Sequence, residues 1–222
     1  MEKRGPFIDF EGIDGSGKST QISLLADAIR KANKYQAVLL TREPTWKATE
    51  LRNKLAKDSD AFADGYEAAQ LFVDDRKQHT YNLIIPSLRQ GVFVATDRYA
   101  LSTCAYQSAQ GVPFVKLIEM HEKVQTITPD LTFFINVSRE EADRRKKIRG
   151  EKLEKYEKDT RFINRLISQY LMLAELSKKD ERIRKVIGPV HIIDGEQSFK
   201  RVAQDITNTA LPFYRNWLGS TS

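Results

Sequence analysis

The chain has 222 residues, of which 41% are hydrophobic and 30% are charged, so it can bury a full core and differs from a disordered protein in composition. No run of about eighteen apolar residues occurs, which excludes a transmembrane helix, and the single cysteine, Cys104, excludes an internal disulfide. We expect a cytoplasmic protein in which Cys104 is a small buried apolar residue.

The formal net charge of +6 is compatible with two classes of partner, a nucleic acid or a small and highly charged substrate. Much of the charge lies in one basic cluster formed by Arg144, Arg145, Lys146, Lys147 and Arg149. Aromatic side chains, which stack on bases in proteins that bind single strands, do not alternate with this cluster. The pattern therefore favours a small charged substrate over a nucleic-acid surface.

The elements predicted along the chain alternate between strands and helices. Short apolar runs predict strands at 6–10, 37–40, 92–96, 131–137 and 190–193. Apolar residues at helical spacing predict helices at about 18–34, 49–56, 66–90, 102–109, 114–126 and 198–218, one helix beginning after the cap Ser138, and another through 163–174. Within the long helix 66–90, Pro86 is expected to kink or split the helix and Gly91 to cap its end.

This alternation predicts an α/β fold, in which a doubly wound five-stranded parallel sheet has helices on both faces. We expect one domain over residues 1–218, including a small helical lid at about 144–160, and a disordered tail over 219–222.

The segment between the first strand and the first helix has the pattern of a phosphate-binding loop. Its residues are Gly12, Ile13, Asp14, Gly15, Ser16, Gly17, Lys18, Ser19 and Thr20. The glycines allow backbone N–H groups to surround an anion, and the N-terminus of the following helix adds about half a positive charge. Lys18 can reach β- and γ-phosphates, and the hydroxyl of Ser19 can bind Mg²⁺. The sequence therefore predicts a nucleotide site.

Polar residues also follow two other predicted strands. Arg42 follows the second strand, and Asp97 and Arg98 follow the third. Because ligands bind beyond the carboxyl ends of parallel strands, we expect these side chains near the phosphate loop. Asp97 is suited to the shell of a Mg²⁺ ion and Arg98 to a second phosphate; the alternative for this pair is a surface ion pair.

Phe72 and Arg76 are four residues apart on the predicted long helix and therefore share a face. An aromatic ring beside a guanidinium could recognise a base, the ring by stacking and the guanidinium by bonding a carbonyl. A phenylalanine at helical spacing is more often a core residue, so both interpretations of Phe72 remain open.

The combination of motifs resembles the thymidylate kinases, which are P-loop NTPases that phosphorylate dTMP to dTDP with ATP and Mg²⁺. The matching segments are Phe10–Thr20, Thr41–Pro44, Leu71-Phe72 with Asp75-Arg76 and His79, Asp97–Tyr99, Ser102, Ala105–Gln107, Pro129–Thr132 and Ile193–Gly195. They occur in the order of the family and span about residues 7–205. The resemblance implies dTMP kinase activity and a homodimer.

The resemblance also implies a role for each matching residue on the base side of the acceptor site. Phe72 stacks on thymine, and Arg76 bonds a base carbonyl. Ser102 and Gln107 contact the base edge. Tyr106 crowds the 2′ position of the sugar and so favours deoxyribose.

On the phosphate side, the resemblance implies that Arg98 binds the acceptor phosphate with help from Arg42. Asp14 lies near the sugar 3′-hydroxyl and the metal shell, and Asp97 serves the metal. Lys18 and the loop around it hold ATP.

The lid is the part of the chain where the family supplies catalytic arginine when its phosphate loop has none, as here. The basic residues of the lid include Arg144, Arg145, Arg149 and Lys152, and Lys155 stands where the family normally has arginine. We predict Arg149 as the arginine finger; for any single residue the alternative is a solvated charged helix.

Two departures from the family bear on the substrate: Thr45-Trp46-Lys47 replaces a Gly-Gly-Thr segment, and Ser108 replaces a common glycine. The alternatives are a kinase for another acceptor, such as dUMP or a free deoxynucleoside, and a P-loop protein that binds nucleotide or nucleic acid without transferring phosphate. Arg98 argues against a free nucleoside, which has no phosphate to bind.

Overall fold

Five parallel strands form the centre of the structure, a computed structural model that describes residues 4–57, 64–150 and 159–220. The strands are β1 (Phe7–Glu11), β2 (Val38–Arg42), β3 (Phe93–Asp97), β4 (Leu131–Asn136) and β5 (Val190–Asp194), in the spatial order β2-β3-β1-β4-β5. β1 is central, and Phe10 lies beside Asp97 of β3 and Phe133 of β4. The predicted five-stranded parallel sheet is confirmed, and the carboxyl ends of its strands meet at one edge.

The helices of the described residues are α1 (Lys18–Ala32), α2 (Thr49–Lys57), α3 (Gly65–His79), α4 (Ile85–Arg89), α5 (Ala100–Ala109), α6 (Phe114–Val124), α7 (Arg139–Ile148), α8 (Thr160–Lys179), α9 (Glu181–Ile187) and α10 (Phe199–Gly219). α1 and α10 pack together in one layer, while α5 packs against α8, α3 and α6 in the other. Ser138 caps α7 as predicted, since its side chain accepts a hydrogen bond from the Glu141 N–H.

The long helix predicted over 66–90 is one helical rod with a π-helical turn, Thr80–Ile84, between α3 and α4. In this turn the Ile85 N–H bonds to the Thr80 carbonyl, five residues back. Pro86 has no N–H and its ring crowds the preceding turn, and the wider π-turn lets the rod continue through it. Gly91 follows the rod with a φ of 73°, which suits the predicted cap.

Two features near the C-terminus differ from the prediction. The short helix α9 is not predicted, because only Ile183, Val186 and Ile187 are buried in a segment that is otherwise charged. Its start is fixed by Asp180, whose carboxylate accepts from the Arg182 and Ile183 N–H groups. The last helix, α10, continues to Gly219 and so includes the first residue of the predicted tail; 221–222 lie outside the described residues.

The hydrophobic core occupies both sides of the sheet. Phe7, Ile8, Phe10 and Phe133 are fully buried within it. Cys104 is also fully buried, as predicted, and burial raises the pKa of its thiol to about 12. Over the described ranges of the chain, no helix is long and apolar enough to cross a membrane.

Candidate active site

The phosphate loop lies between β1 and α1, at the carboxyl edge of the sheet. Its three glycines, Gly12, Gly15 and Gly17, have φ values of 145°, 92° and 99°, which residues other than glycine rarely adopt. A Cβ atom at Gly12 would lie 2.7 Å from the Ile135 carbonyl oxygen, so the loop lies directly against β4. The loop therefore has the curled backbone that binds phosphates, as the sequence predicts.

Lys18 opens α1 and its ammonium points back over the loop. Its Nζ donates to the carbonyls of Gly12 at 2.9 Å and Ile13 at 3.1 Å, and it lies 4.0 Å from Asp97 Oδ1. Burial, followed by the nearby charge of Arg98, lowers the pKa of Lys18 to about 8. A phosphate beside this ammonium would favour its charged form.

Ser19 and Asp97 form an oxygen pair next to the loop. The Ser19 hydroxyl donates to Asp97 Oδ2 at 3.0 Å, and Arg42 Nη2 lies 3.8 Å from the same oxygen. The other oxygen of Asp97, Oδ1, is buried and has no hydrogen-bond partner among the described residues. A hydroxyl and a carboxylate are ligands that suit Mg²⁺, so these residues fit the metal predicted for them.

Arg98 connects the phosphate loop to α5. Its backbone has a φ of 75°, an uncommon conformation outside glycine. Nη2 donates to Asp14 Oδ1 at 2.6 Å and to the Tyr106 hydroxyl at 3.2 Å, and Nη1 donates to the Ser102 hydroxyl at 3.0 Å. The guanidinium is thus fixed between the loop and α5, where its charge can face an acceptor phosphate.

Asp14 remains ionised in this setting. Burial raises the pKa of Asp14, but the charges of Arg98, Lys18 and Lys146 together outweigh burial and hold that pKa well below its usual range. The loop therefore keeps one negative charge in contact with Arg98.

Glu11, the last residue of β1, organises the start of α5. Its carboxylate accepts from the backbone N–H groups of Tyr99 at 2.9 Å and Ser102 at 2.8 Å. It also accepts from the hydroxyls of Ser102 at 2.5 Å and Tyr170 at 3.1 Å. No motif assigns a role to Glu11, although an acidic residue at the end of an apolar strand is a signal for one. The predicted contact of Ser102 with a base edge stays a prediction, because here its hydroxyl joins Glu11 to Arg98.

Arg76 lies in a buried polar network, with a side chain only 1% exposed. Its Nη1 donates to the Thr103 hydroxyl at 3.1 Å and lies 2.6 Å from His121 Nε2. Its Nη2 donates to the Tyr99 carbonyl at 2.8 Å and lies 2.6 Å from Glu43 Oε2. These contacts use the two terminal nitrogens of the guanidinium, so Nε is the donor that remains.

The remaining residues predicted to contact the base have distinct environments. Arg76 Nε is buried without a hydrogen-bond partner among the described residues, and so is Gln107 Oε1. Gln107 Nε2 donates to Gln110 Oε1 at 3.3 Å. Phe72 is half-buried, and the core cluster described above does not include it. The stacking of Phe72 on a base stays a prediction.

Two of the histidines have structural roles in the same network. His121 Nδ1 lies 2.7 Å from the Leu117 carbonyl and therefore donates to it, which leaves Nε2 to accept from Arg76. Burial, with the charge of Arg76, lowers the pKa of His121 to about 3, so the ring is neutral. His79 lies between Glu43 Oε1, at 2.9 Å, and the Thr41 hydroxyl, at 2.8 Å.

The segment that departs from the family at the end of β2 is anchored by α3. The Thr45 N–H donates to Asp75 Oδ2 at 2.8 Å, and the Thr45 hydroxyl donates to Asp75 Oδ1 at 2.5 Å. The next residue, Trp46, is 75% exposed, and the Lys47 ammonium lies 5.4 Å from the centre of its ring. Asp75 thus anchors the residue that precedes an exposed aromatic ring.

The lid is described only in part. Arg149 is the C-terminal cap of α7 and is exposed. Its role as arginine finger stays a prediction. Lys152 and Lys155 lie outside the described residues. Arg145, by contrast, contacts the phosphate loop: Nη1 donates to the Ser16 carbonyl at 3.1 Å and Nη2 to the Gly195 carbonyl at 2.6 Å. α7 is therefore attached to both the phosphate loop and the turn after β5.

We predict that Glu43→Gln destabilises the protein, because it leaves the buried Arg76 guanidinium without a full counter-charge. The free energy of unfolding should fall by about 3 kcal/mol, as when one partner of a buried ion pair is removed. Denaturant unfolding measures this loss. Glu67→Gln, at an exposed ion pair with Lys54, is the control and should cost less than about 0.5 kcal/mol. Equal effects of the two substitutions would contradict the network.

Comparison with known proteins identifies the family of this chain. The sequence model of the thymidylate kinase family matches residues 10–206. A probable thymidylate kinase of Pyrococcus abyssi is 35% identical over 210 residues, which cover 91% of this chain and 94% of the relative. The thymidylate kinase of Mycoplasma capricolum is 36% identical over 196 residues, covering 85% of this chain and 89% of the relative. The crystal structure of thymidylate kinase from Ehrlichia chaffeensis has a TM-score of 0.70 to this structure at 29% identity, covering 94% of this chain and 99% of that one. The chain therefore belongs to the thymidylate kinase family, the family of P-loop NTPases that its motifs predict.

Proposed function

We propose that this protein transfers the terminal phosphoryl group of ATP to dTMP and so produces dTDP and ADP. The observation that supports this most directly is the contact between the phosphate loop and Arg98, through Asp14, which brings a donor site and an acceptor cation together. The match to thymidylate kinases over nearly their whole length confirms the predicted enzyme class and does not favour the alternatives of another acceptor or of a protein without transferase activity. A cytoplasmic location is compatible with the free thiol of Cys104.

On the donor side, backbone N–H groups from Gly12 to Thr20 and the ammonium of Lys18 bind the phosphates of ATP. Ser19 and Asp97 would hold Mg²⁺, which when bound neutralises charge on the β- and γ-phosphates. These assignments are supported by the positive φ angles of the loop glycines and by the orientation of Lys18 over the loop.

On the acceptor side, Arg98 binds the phosphate of dTMP, with Arg42 as a second and more exposed cation. Phe72 stacks on the thymine ring, and Nε of Arg76 is the donor left for a base carbonyl. Tyr106, held against Arg98, borders the sugar.

The proposed reaction needs no general base. The second pKa of a phosphate monoester is about 6, so the attacking oxygen is already ionised at neutral pH. His79 and His121 are buried and engaged in hydrogen bonds, and the proposal assigns neither of them a proton transfer. Catalysis then consists of positioning and charge neutralisation.

We also propose that the protein is a homodimer, as the family resemblance implies. Apolar side chains are exposed on α3, in the π-turn and on α6, and Tyr81 and Val115 are two of these side chains. A second copy of the chain would cover them. Light scattering in the micromolar range should give twice the mass of one chain. A mass of one chain throughout that range would contradict the dimer.

The function is tested by measuring ADP formation with Mg²⁺-ATP and each of dTMP, dUMP, UMP, dCMP, dGMP and AMP. We expect kcat/KM for dTMP to exceed that of the other acceptors by at least about tenfold, which corresponds to about 1.4 kcal/mol. A higher kcat/KM for another acceptor would contradict the dTMP assignment and point to the two departures from the family, Thr45–Lys47 and Ser108. No turnover with any acceptor, while ATP still binds, would contradict the kinase.

Phe72→Ala should raise the KM for dTMP by about ten- to fiftyfold, because base stacking on an aromatic ring contributes about 1–3 kcal/mol. The KM for ATP should change less than about twofold, since Phe72 is assigned to the acceptor side only. Tyr35→Ala removes an exposed aromatic ring from the turn before β2 and serves as the control. If Phe72→Ala instead lowers the unfolding temperature and leaves both KM values unchanged, Phe72 is a core residue.

A further inference from the structure

Tyr170 of α8 is fully buried beside Arg98, although no motif assigns it a role. Its ring is stacked on Phe134, with 4.7 Å between the ring centres, and meets the ring of Tyr106 edge-on at 6.5 Å. A phenylalanine could make both of these ring contacts. The hydroxyl is the part of Tyr170 that needs an explanation, because burying a hydroxyl is costly unless hydrogen bonds replace water.

The hydroxyl of Tyr170 bridges an anion and a cation. It donates to Glu11 Oε2 at 3.1 Å and accepts from Arg98 Nη1 at 3.4 Å. The direction of these bonds is fixed, because a guanidinium has no acceptor atom and can only donate. Burial, followed by the charge of Glu11, raises the pKa of Tyr170 well above its usual range, so the hydroxyl keeps the proton that it donates.

Ser102 closes a ring of hydrogen bonds with the same groups. Its hydroxyl donates to Glu11 Oε2 at 2.5 Å, accepts from Arg98 Nη1 at 3.0 Å and lies 3.1 Å from the Tyr170 hydroxyl. Nη1 carries two N–H groups, which is enough for both hydroxyls. This nitrogen is therefore held from two helices, by Ser102 of α5 and by Tyr170 of α8.

We propose that Tyr170 is a positioning residue for the acceptor phosphate: its hydroxyl holds Nη1 of Arg98, so that the guanidinium faces the phosphate of dTMP in a fixed direction. The proposal rests on the kinase function proposed above and adds a residue to its acceptor side. Without the Tyr170 hydroxyl, Nη1 would keep the contact to Ser102 only, while Nη2 would stay bonded to Asp14 and Tyr106. The guanidinium could then turn about Nη2, and the fixed direction of its charge would be lost.

The effect of this positioning should fall on the phosphate of the acceptor and not on its base. Arg98 is assigned to the phosphate, whereas Phe72 and Arg76 are assigned to the base. Thymidine has the base and the sugar of dTMP without the phosphate, so it would not depend on Arg98. The affinity for dTMP relative to thymidine therefore separates a role in positioning Arg98 from a general role in the fold.

The test compares Tyr170→Phe, which keeps both ring contacts and removes the hydroxyl, with the matched control Tyr214→Phe. Tyr214 is also fully buried, on α10, in the layer that does not contain α5 and α8. Its ring is stacked on Trp217 and meets Phe93 edge-on, and its hydroxyl donates to Gln36 Oε1 at 2.9 Å. Calorimetry measures the affinities for dTMP and thymidine, kinetics give kcat and both KM values, and thermal unfolding reports stability.

For Tyr170→Phe we expect dTMP to bind at least about fivefold more weakly and thymidine to change less than about twofold, as for the loss of one hydrogen bond to a charged group. We expect kcat/KM for dTMP to fall at least as much as the affinity and the KM for ATP to stay within about twofold. Tyr214→Phe should lower the unfolding temperature and leave the affinity for dTMP within about twofold of the unmodified protein.

A double-mutant cycle shows whether the Tyr170 hydroxyl acts through Arg98. Arg98→Lys keeps a positive charge beside Asp14 and Glu11 but lacks the fork of two terminal nitrogens. In the Arg98→Lys background, Tyr170→Phe should change the affinity for dTMP by less than about twofold. The two substitutions would then be non-additive, as expected for residues that act through one contact.

The proposal is overturned if Tyr170→Phe binds dTMP normally, if dTMP and thymidine weaken equally, or if the full loss persists in the Arg98→Lys background. A lower unfolding temperature with unchanged affinity for dTMP would make Tyr170 a purely structural residue. If Tyr170→Phe does not fold, Tyr170→Met, whose flexible side chain fills irregular space, is measured under the same criteria. If the unmodified protein binds dTMP but phosphorylates no monophosphate, the function proposed above fails, while the comparison of dTMP with thymidine still decides the role of Tyr170.

Discussion

The buried carboxylate of Glu11 is the constraint on which the site depends. It ends the central strand and accepts the first free N–H groups of α5, from Tyr99 and Ser102, a place where the helix dipole favours a negative charge. Burial raises the pKa of Glu11, and the charge of Arg98 together with these hydrogen bonds counteracts that rise. The Glu11 side chain thus fixes the start of α5 relative to β1 and the phosphate loop. Arg98 lies between the loop and α5, in the uncommon backbone conformation described above.

Charge balance at the carboxyl edge of the sheet follows from the same burial. Glu43 pairs with Arg76, and Asp97 lies near Lys18, so each buried cation has an acidic neighbour. Asp9 differs from these paired carboxylates: burial, and then the charges of Glu11 and Glu43, raise its pKa well above the usual range. Burial and these neighbouring carboxylates thus favour the protonated form of Asp9, which limits the buried negative charge at this edge.

Patterns within one segment were predictable and contacts between distant segments were not. The phosphate loop, the alternation of strands and helices and the cap at Ser138 depend on neighbouring residues, which is why the sequence sufficed for them. The partners of Arg76 come from the residue after β2 and from α5 and α6, and the spacing of Phe72 and Arg76 does not predict them. Lys146 is the clearest case, because in a basic cluster it is indistinguishable from its exposed neighbours until α7 is packed on the loop.

The π-turn between α3 and α4 has a consequence for how the chain can vary. A π-turn adds about one residue to the normal helical repeat, so the helix beyond it is rotated by about 100° relative to an uninterrupted α-helix. Arg76 is buried on α3 and Leu88 is buried on α4, and the π-turn fixes the rotation between these two buried faces. Removal of one residue from Thr80–Ile84 would restore the α-helical repeat and turn Leu88 away from the core, so burial on both sides constrains the length of this turn.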